Sequence, residues 1–476
     1  MRERKRQQVG FADLELWRQG VKLDSLLEQI SRFLDRHGEL VDLVHADLIR
    51  GLRSKRGKRA GMTAEQVLRA FVLQRVKSWD YRALRERISD GLTLRQFTRF
   101  DCAAVPKHDA FQRSFVRLTP RTMRKLNQAV VAAAVSMKLE DGRRLRVDTT
   151  AVETDVRYPR DSGLLWDSVR VISRLVGSLR ELAPQACRIF PDRTRRARRR
   201  MQEIGRMRER AQRKRGLARK YRDLLHVTAE VLGTAAEAAR RARAAQYGNP
   251  MDGLRVDACC QQIDSFIGLA RRVINQTERR IFGGETVPAN EKLYSIFETH
   301  TDLIVRGKPY KPVEFGHKVF LAESAKGLVT DYQILDGNPA DKDQLEPSVE
   351  RHRQHFGSAP DLYAADRGFY DTAANARIEH GGVKLVAIPQ CGGKKTTERE
   401  AHEKSRRFKK AQAFRSGIEG RISVLFRGRG MKRCSWSGAE RFELFIAAAV
   451  LANNLLRIAM LLQKRKTSAI DSARAA

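Results

Sequence analysis

Three acidic side chains lie in or beside predicted strands and helices, at positions where a carboxylate is unusual unless it has a catalytic or metal-binding role. Asp148 follows Leu145 and Val147 in an alternating apolar run that predicts a strand. Asp366 comes at the C-terminal end of a second short predicted strand, where open α/β sheets place functional groups. Glu419 borders the apolar stripe of a predicted amphipathic helix. A charge inside such elements costs several kcal/mol unless it is solvated, paired or metal-bound.

Each acid also has a purely structural explanation. Asp148 is able to cap a turn, Asp366 to cap the following helix, and Glu419 to pair with Arg415 one turn before it. Three converging carboxylates, in contrast, repel one another, and divalent cations relieve that repulsion. Mg²⁺ prefers oxygen ligands and suits a site shared with phosphate oxygens. The set therefore predicts a site for two Mg²⁺ ions, a type of site that transfers phosphoryl groups.

Other kinds of chemistry find less support. The sequence has no phosphate-binding G-x-x-x-x-G-K-[ST] motif, which disfavours an ATPase or helicase. Six scattered cysteines without a C-x-x-C pair indicate neither a disulfide scaffold nor a zinc ribbon. Recombinase chemistry needs a nucleophile among clustered arginines. Tyr370 lies beside Arg367, but no wider pattern around this pair supports that chemistry. His352 and His355 lie three residues apart on a predicted helix and are expected on its surface.

The charge of the chain indicates a polyanionic partner. Lys and Arg number 93 against 56 Asp and Glu, which gives a net charge of +37. Nucleic acid is the commonest partner of so basic a protein. In the segment 193–222, 15 of 30 residues are basic, and only Glu203 and Glu209 are available for nearby pairing. That segment, including Arg198, Arg199 and Arg200, is therefore predicted to contact DNA phosphates.

The hydropathy pattern argues against a membrane protein. The N-terminus MRERKRQQVG has no apolar signal region, which argues against secretion. The apolar segment RFELFIAAAVLANNLLRIAMLLQ is interrupted by Asn453, Asn454 and Arg457. It is predicted to be a buried packing helix, and the protein to be cytoplasmic and associated with the nucleoid of a bacterium.

The order of predicted elements divides the chain into helical and α/β regions. Strands alternate with helices from residue 290 onward, which indicates an α/β sheet with some parallel pairing. Short helices with arginines on their outer faces precede this sheet. Such helices are typical of a helix-turn-helix-like DNA-binding domain and also of an ordinary helical bundle. The predicted regions are a basic arm (1–60), a helical DNA-binding domain (61–140), a catalytic domain (141–159 and 290–430), a basic helical insertion (160–289), a packing helix (431–463) and a flexible tail (464–476).

Around the three acids the sequence resembles the DDE-type transposases of bacterial insertion sequences, most closely the ISNCY-like group. The similarity covers most of residues 60–460. The segments that carry it are VDTTAVETDVRYPRDSGLLWDSVRVISRL, SIFETHTDLIVRGK, FGHKVFLAES, LDGNPADKDQL, AADRGFYD, RSGIEGRISVLFRGRGM, LANNLLRIA and the N-terminal SWDYRALRERISDGLTLRQF. The ordered Asp, Asp, Glu set is the most specific part of this resemblance.

The resemblance implies an RNase H-like core, which is a mixed five-stranded sheet with helices on both faces. It implies Asp148 on the first strand, Asp366 at the end of the fourth, and Glu419 on the helix after the fifth. It further implies that these acids hold two Mg²⁺, for which Mn²⁺ would substitute. Water would then cut the strand at an element end, and the freed 3′-OH would attack target DNA, with the enzyme acting as a dimer or higher oligomer on double-stranded DNA.

The resemblance is incomplete around the last acid. Related enzymes carry Tyr, Arg, Glu and Lys there; in this chain Arg415 fits, whereas Gln412 replaces the Tyr and Phe426 the Lys. Arg427 and Arg429 are candidates for the missing positive charge. Three further candidates for contact with the phosphate or the scissile strand are Arg367, His317 and Lys318.

Two other functions stay open at the level of sequence. One is an RNase H-like metal nuclease without strand transfer, and the other is a noncatalytic DNA-binding protein derived from a transposase.

Overall fold

The computed structural model describes residues 3–5, 10–18, 22–52, 61–207, 214–305 and 312–475. It forms two compact units. The first consists of Met1–Glu153 and His317–Ala476, and the second of Thr154–Gly316.

The first unit begins with a series of short helices. The helix Ala64–Lys77 starts with a capping box, in which the Thr63 side chain accepts from the Gln66 N–H and the Gln66 side chain accepts from the Thr63 N–H. The helices of this region are α1 (Phe11–Arg18), α2 (Ser25–Arg36), α3 (Gly38–Ile49), α4 (Ala64–Lys77), α5 (Tyr81–Asp90), α6 (Leu92–Thr98), α7 (His108–Phe115) and α8 (Pro120–Ser136).

The strands follow from residue 144 onward. The two longest strands, Arg144–Thr154 and Val313–Ser324, are rich in β-branched and aromatic residues that favour extended backbone. The strands are β1 (Arg144–Thr154), β2 (Asp302–Val305), β3 (Val313–Ser324), β4 (Val329–Leu335), β5 (Leu362–Ala364), β6 (Leu385–Ala387) and β7 (Arg433–Cys434).

The sheet of the first unit has the order β4-β3-β1-β5-β6. The strands β3 and β4 pair antiparallel, whereas β1 with β5 and β5 with β6 pair parallel. The short strand β7 also pairs with β1. This is the mixed sheet of an RNase H-like core, so the predicted fold class is confirmed, with β7 added to the five expected strands.

Helices cover both faces of this sheet. They are α13 (Leu345–Phe356), α14 (Thr372–His380), α15 (Thr397–Lys404), α16 (Arg406–Gly428) and α17 (Ala439–Ala475), with short 3₁₀ helices at Asp341–Gln344 and Arg367–Phe369. Leu145, Val147 and Tyr363 pack on one face with Leu345 of α13 and Ile378 of α14. On the other face, strand residues of β5 and β6 pack against α16, namely Leu362, Ala364, Leu385 and Ala387 against Phe408 and Ala411.

The largest core of the first unit joins the beginning and the end of the chain. Phe71 and Val130 of the N-terminal helices belong to the same buried cluster as Phe445 and Leu455 of α17. The described part of α17, Ala439–Ser468, is long and apolar enough to cross a membrane, but 83% of its most apolar window is buried inside the protein. Most of this apolar stretch therefore lies in the core of the first unit.

The end of α17 differs from the prediction. The sequence analysis predicts a flexible tail over 464–476, whereas the backbone remains helical through Ala475. Most residues of this stretch have good helix propensity and it holds no proline, so the helix has no local reason to end. The other predicted domain boundaries remain predictions.

The second unit is mainly a helical bundle around its own core. Its helices are α9 (Asp161–Leu182), α10 (Thr194–Arg206), α11 (Lys214–Ala244) and α12 (Pro250–Ile281). Ile172, Leu224, Val231 and Ile263 are among the residues buried between them. The strand β2 lies in this unit as well and pairs antiparallel with the first residues of β3, with Asp302 opposite Gly316.

Candidate active site

The register of the sheet brings Asp148 and Asp366 to the same place. Arg146 of β1 lies opposite Ala364 of β5 in a parallel pair. Two residues further along each chain are Asp148 and Asp366, and the two-residue period of strands turns both toward the face that α16 covers. Asp148 lies within β1, as predicted, and Asp366 follows the end of β5 by two residues.

Each of the two carboxylates is held by a backbone N–H group. Oδ1 of Asp148 accepts from the N–H of Thr149 at 2.7 Å, and Oδ1 of Asp366 accepts from that of Gly368 at 2.8 Å. Burial and the negative charge of Asp366 raise the pKa of Asp148 to about 6, although the Thr149 N–H and the positive charge of Arg415 act in the opposite direction. The two acids are thus close enough to repel each other.

A third carboxylate at this point is one that the sequence analysis missed. Asp341 accepts from the Thr149 hydroxyl at 2.7 Å and forms an ion pair with Lys318 Nζ at 2.8 Å. A Cβ placed on Gly368 would be 3.1 Å from an Asp366 oxygen and 3.2 Å from an Asp341 oxygen, so the two carboxylates flank this glycine. Asp341 lies in LDGNPADKDQL, a segment of the resemblance, which was the available signal.

The helix α16 carries the remaining predicted residues on one face. Gln412 donates from Nε2 to the carbonyls of Ala365 at 3.2 Å and Ala387 at 2.6 Å, and so ties the helix to the ends of β5 and β6. One turn later is Arg415, whose charge reaches Asp148. After another turn comes Glu419, which accepts from Arg415 Nη1 at 2.9 Å and whose side chain is 63% exposed.

The structural explanations for two of the acids therefore hold in this structure. Asp366 caps the 3₁₀ helix Arg367–Phe369, and Glu419 pairs with Arg415. Among the residues that the structure describes, no three His, Cys, Asp or Glu side chains already form a group able to hold a metal ion. The structure brings Asp148 and Asp366 together, while Arg415 is the counter-charge shared by Asp148 and Glu419.

The predicted DNA contacts near this site have different surroundings. Arg367 and Arg427 are exposed, and Lys318 also donates to the Pro339 carbonyl at 2.7 Å. His317, in contrast, is buried, with its ring 4.7 Å from that of Phe442. Because its ring packs in the core, the structure does not support the expected contact of His317 with a scissile strand.

Arg429 is likewise turned inward. It donates from Nη1 to the Val76 carbonyl at 2.7 Å and to that of Gly428 at 2.6 Å, and burial lowers its pKa. It stabilises the end of α16 against α4. The sequence could not show this because Val76 is more than 350 residues away.

The basic segment of the second unit has more partners than its local sequence suggests. Arg200 pairs with Glu203 at 2.8 Å and with Asp223 of α11, which also pairs with Arg196. Arg198 and Arg199 are exposed. The assumption that only Glu203 and Glu209 are available for pairing is therefore wrong, because α11 supplies a further carboxylate to this stretch.

His352 also differs from the expectation of a surface residue. It is 3% exposed, and its ring stacks on that of Phe356 with the centroids 4.4 Å apart. Burial lowers its pKa to about 4. The helix α13 thus turns His352 toward the sheet, where it serves as a core residue.

Two family descriptions match the sequence. The family described as "Transposase DDE domain" matches residues 305–455, and the family described as "Transposase domain (DUF772)" matches residues 18–117. Searches of curated proteins and of solved structures each found no match. Asp366 and Glu419 lie within the first match, whereas Asp148 lies outside both.

The mixed sheet with flanking helices is that of an RNase H-like core, and the match to the DDE domain makes the chain an enzyme of the DDE class. The two matches together cover slightly more than half of the chain. The chain belongs to the DDE-type transposases of insertion sequences, and its substrate is DNA. Enzymes with this domain generally use divalent metal ions.

Proposed function

We propose that this transposase cuts DNA at the ends of its insertion sequence and joins the freed 3′-OH to target DNA, with Asp148, Asp366 and Glu419 as the catalytic acids. The observation that carries the proposal is the convergence of Asp148, within β1, and Asp366, just after the end of the neighbouring strand β5. Burial and the negative charge of Asp366 raise the pKa of Asp148 to about 6, so the ionised pair is unfavourable in the absence of a cation. Divalent metal ions bound together with a phosphodiester would supply such a cation.

The donor chemistry of these residues fits two Mg²⁺ ions, with Mn²⁺ as a substitute. Asp148 and Asp366 offer carboxylate oxygens, the ligands that Mg²⁺ prefers. Bound ions of this kind activate the attacking oxygen and stabilise the leaving one. Glu419 would join the set after release from Arg415, a change that its exposed position permits.

The protein's own groups keep the acids in position. The N–H groups of Thr149 and Gly368 fix one oxygen of Asp148 and of Asp366, and leave the other oxygens for ligation. Lys318 neutralises Asp341 and so limits the local negative charge. Arg415 is placed to contact a phosphate once Glu419 has turned away, because its guanidinium already lies near Asp148.

Recognition of the element ends would use other parts of the chain. We propose that the helices of residues 61–140 read the terminal inverted repeats and that the basic helices of the second unit hold the DNA backbone. Arg198, Arg199, Arg367 and Arg427 are the exposed candidates for phosphate contact. The enzyme would act on the bacterial nucleoid in the cytoplasm, as a dimer or higher oligomer on double-stranded DNA.

Replacing the acids one at a time tests the catalytic set. Asp148→Asn and Asp366→Asn are expected to lower the cleavage rate of an element-end duplex with Mg²⁺ by at least about 10³-fold, because an amide neither carries the charge nor ligates as well. DNA binding measured by gel shift should persist. Asp361→Asn is the matched control, since Asp361 lies before the opposite end of β5 and pairs with Lys384.

The third acid is tested by a direct comparison. Glu419→Gln is expected to abolish cleavage, whereas Asp341→Asn should reduce it less, because Asp341 is already neutralised by Lys318. If Asp341→Asn removes activity and Glu419→Gln leaves it intact, the assignment of Glu419 is wrong.

The products formed from a chosen substrate distinguish the proposed transposase from the two alternative functions. A pre-cut 3′-OH end offered with a target plasmid yields joined products from a transposase. A metal nuclease without strand transfer would yield only cleavage. A noncatalytic DNA-binding protein would give neither product in the presence of Mg²⁺ or Mn²⁺.

A further inference from the structure

The first unit contains a cavity of about 530 Å³ away from the acids. It lies between the α4–α5 region, α7 and the segment that joins α16 to α17. None of the catalytic candidates Asp148, Asp366 and Glu419 lines it. Its volume falls in the range of about 300–1,000 Å³ that is usual for small-molecule sites.

The walls of the cavity are aromatic. Five rings line it, namely Trp79, Tyr81, Phe115, Trp436 and Phe445. The guanidinium of Arg75 lies 4.6 Å from the ring centroid of Phe445 and 5.7 Å from that of Trp436. Flat side chains in this number favour a ligand that has a planar aromatic face.

The cavity is also strongly positive. Arg75, Arg429, Arg433 and Arg441 line it, against the single carboxylate of Asp80. That carboxylate is engaged as the cap of α5, where it accepts from the N–H of Ala83 at 2.8 Å. An anion in the cavity would therefore meet more positive than negative charge, although Arg429 Nη1 already donates to two backbone carbonyls.

Two buried polar side chains that line the cavity have hydrogen-bonding atoms without a partner. Arg75 is 9% exposed and Gln74 is 4% exposed, and Arg75 Nε and Gln74 Oε1 have no hydrogen-bond partner in the structure described. Burial lowers the pKa of Arg75 to about 10, and the charge of Arg429 contributes to the same effect. Arg75 donates from Nη2 to the Arg429 carbonyl at 3.0 Å, but within the described residues it forms no ion pair.

We propose that this cavity binds a nucleotide, with the base between the aromatic walls and the phosphate on the arginines. A buried guanidinium without a carboxylate partner is costly, and a phosphate provides the charge and the hydrogen-bond acceptors that it lacks. Gln74 offers an amide to the edge of the base. The nucleotide comes either from an unpaired stretch of the DNA substrate or from the free pool, and the site does not depend on the proposed catalytic set.

Calorimetric titration of the full chain tests the binding of free ligand. Thymidine 5′-monophosphate (dTMP) is the probe, with thymidine and inorganic phosphate as its two halves. We expect dTMP to bind at least about tenfold more tightly than either half, because only the whole molecule uses both the rings and the arginines. Trp436→Leu should weaken binding by about tenfold and Arg441→Gln by about threefold.

Arg85→Gln is the matched control, since Arg85 is an exposed arginine of α5 that does not line the cavity. It should leave dTMP binding unchanged. Equal thermal unfolding midpoints of the variants and the parent chain would show that Trp436→Leu does not act by unfolding.

Photocrosslinking distinguishes the two sources of nucleotide. A duplex with a short single-stranded stretch that contains 5-iododeoxyuridine is irradiated at high salt, and the crosslinked peptides are mapped. Crosslinks to Trp79, Tyr81 or Trp436 show that DNA supplies the nucleotide. dTMP binding without such crosslinks shows that the free nucleotide is the ligand. Absence of both, or binding that Trp436→Leu does not change, overturns the proposal whether or not the enzyme cleaves DNA.

Discussion

Burial changes the chemistry of two titratable side chains of this protein. Burial and the charge of Asp366 raise the pKa of Asp148 to about 6, and burial lowers the pKa of His352 to about 4. Both side chains therefore change protonation well away from the pH at which an exposed side chain of the same type does.

His352 makes the free energy of unfolding depend on pH. Its pKa is about 4 in the folded protein and near 6.5 when unfolded, so the unfolded state binds the proton first. Stability should therefore fall as the pH drops from about 6.5 to 4, by up to about 3 kcal/mol, and this contribution should level off below pH 4. Urea unfolding at several pH values measures this dependence.

The comparison variant is His352→Gln, which removes the titration. Its unfolding free energy should change less than that of the parent chain between pH 6.5 and 4. Asp331 and His355 also act on His352, and they remain in both proteins. Parallel curves for the two proteins would refute the assignment.

At the scale of elements, α16 is positioned by a close approach to β1. A Cβ on Gly417 would overlap the guanidinium of Arg146, which donates to the Phe414 carbonyl at 2.8 Å and to the fully buried Glu323 at 2.7 Å. Arg421 of the same helix reaches the other oxygen of Glu323 at 2.7 Å. The strands β1 and β3 and the helix that carries Glu419 are therefore joined by one buried ion network.

Gly417→Ala should disturb this network. We expect a loss of about 1–3 kcal/mol of unfolding free energy and a drop in cleavage, because Arg146 must move and the helix with it. Gly420→Ala is the control in the same helix, since a Cβ there meets no atom within 4 Å. That variant should be neutral or up to about 1 kcal/mol more stable. Urea unfolding and a cleavage assay compare the two variants. Equal unfolding free energies and equal cleavage rates would contradict the proposed role of the close approach at Gly417.

The sequence predicted Asp148 in a strand and Asp366 at the end of one, because a period of two can be read from neighbouring residues. Asp341 and His352 could not be placed in this way, because their surroundings include segments far away in the chain, such as Thr149 for Asp341.

The order of the elements was also predictable. The alternation of strands and helices after residue 290 indicated the α/β sheet, and the structure confirms it. The pairing of Arg196 and Arg200 with Asp223 was not predictable, because it depends on how α10 and α11 pack. The inward turn of Arg429 depends in the same way on α4.

At the scale of the whole molecule, the net charge of +37 makes a prediction about DNA binding. Each phosphate that the protein neutralises releases counterions, so the affinity should fall by roughly 10³-fold or more between about 50 and 200 mM salt. Fluorescence anisotropy with a labelled duplex measures the slope. An affinity that does not change over this range of salt would contradict the proposed contacts with the DNA phosphates.

The arginines of α10 refine this experiment. Arg198→Ala and Arg199→Ala should each lower the magnitude of the salt slope by about 0.9, because both side chains are exposed. Arg200→Ala should change it less, since Glu203 and Asp223 already neutralise that side chain. Equal effects of the three variants would show that these ion pairs open when DNA binds.

The shared core of the first helices and α17 has a consequence for synthesis. Phe71 and Val130 leave the ribosome several hundred residues before Phe445 and Leu455, which complete their packing. A nascent or prematurely terminated chain that lacks α17 would display this apolar surface to chaperones and proteases. Truncated products should therefore be short-lived in the cell instead of persisting as competitors for the element ends.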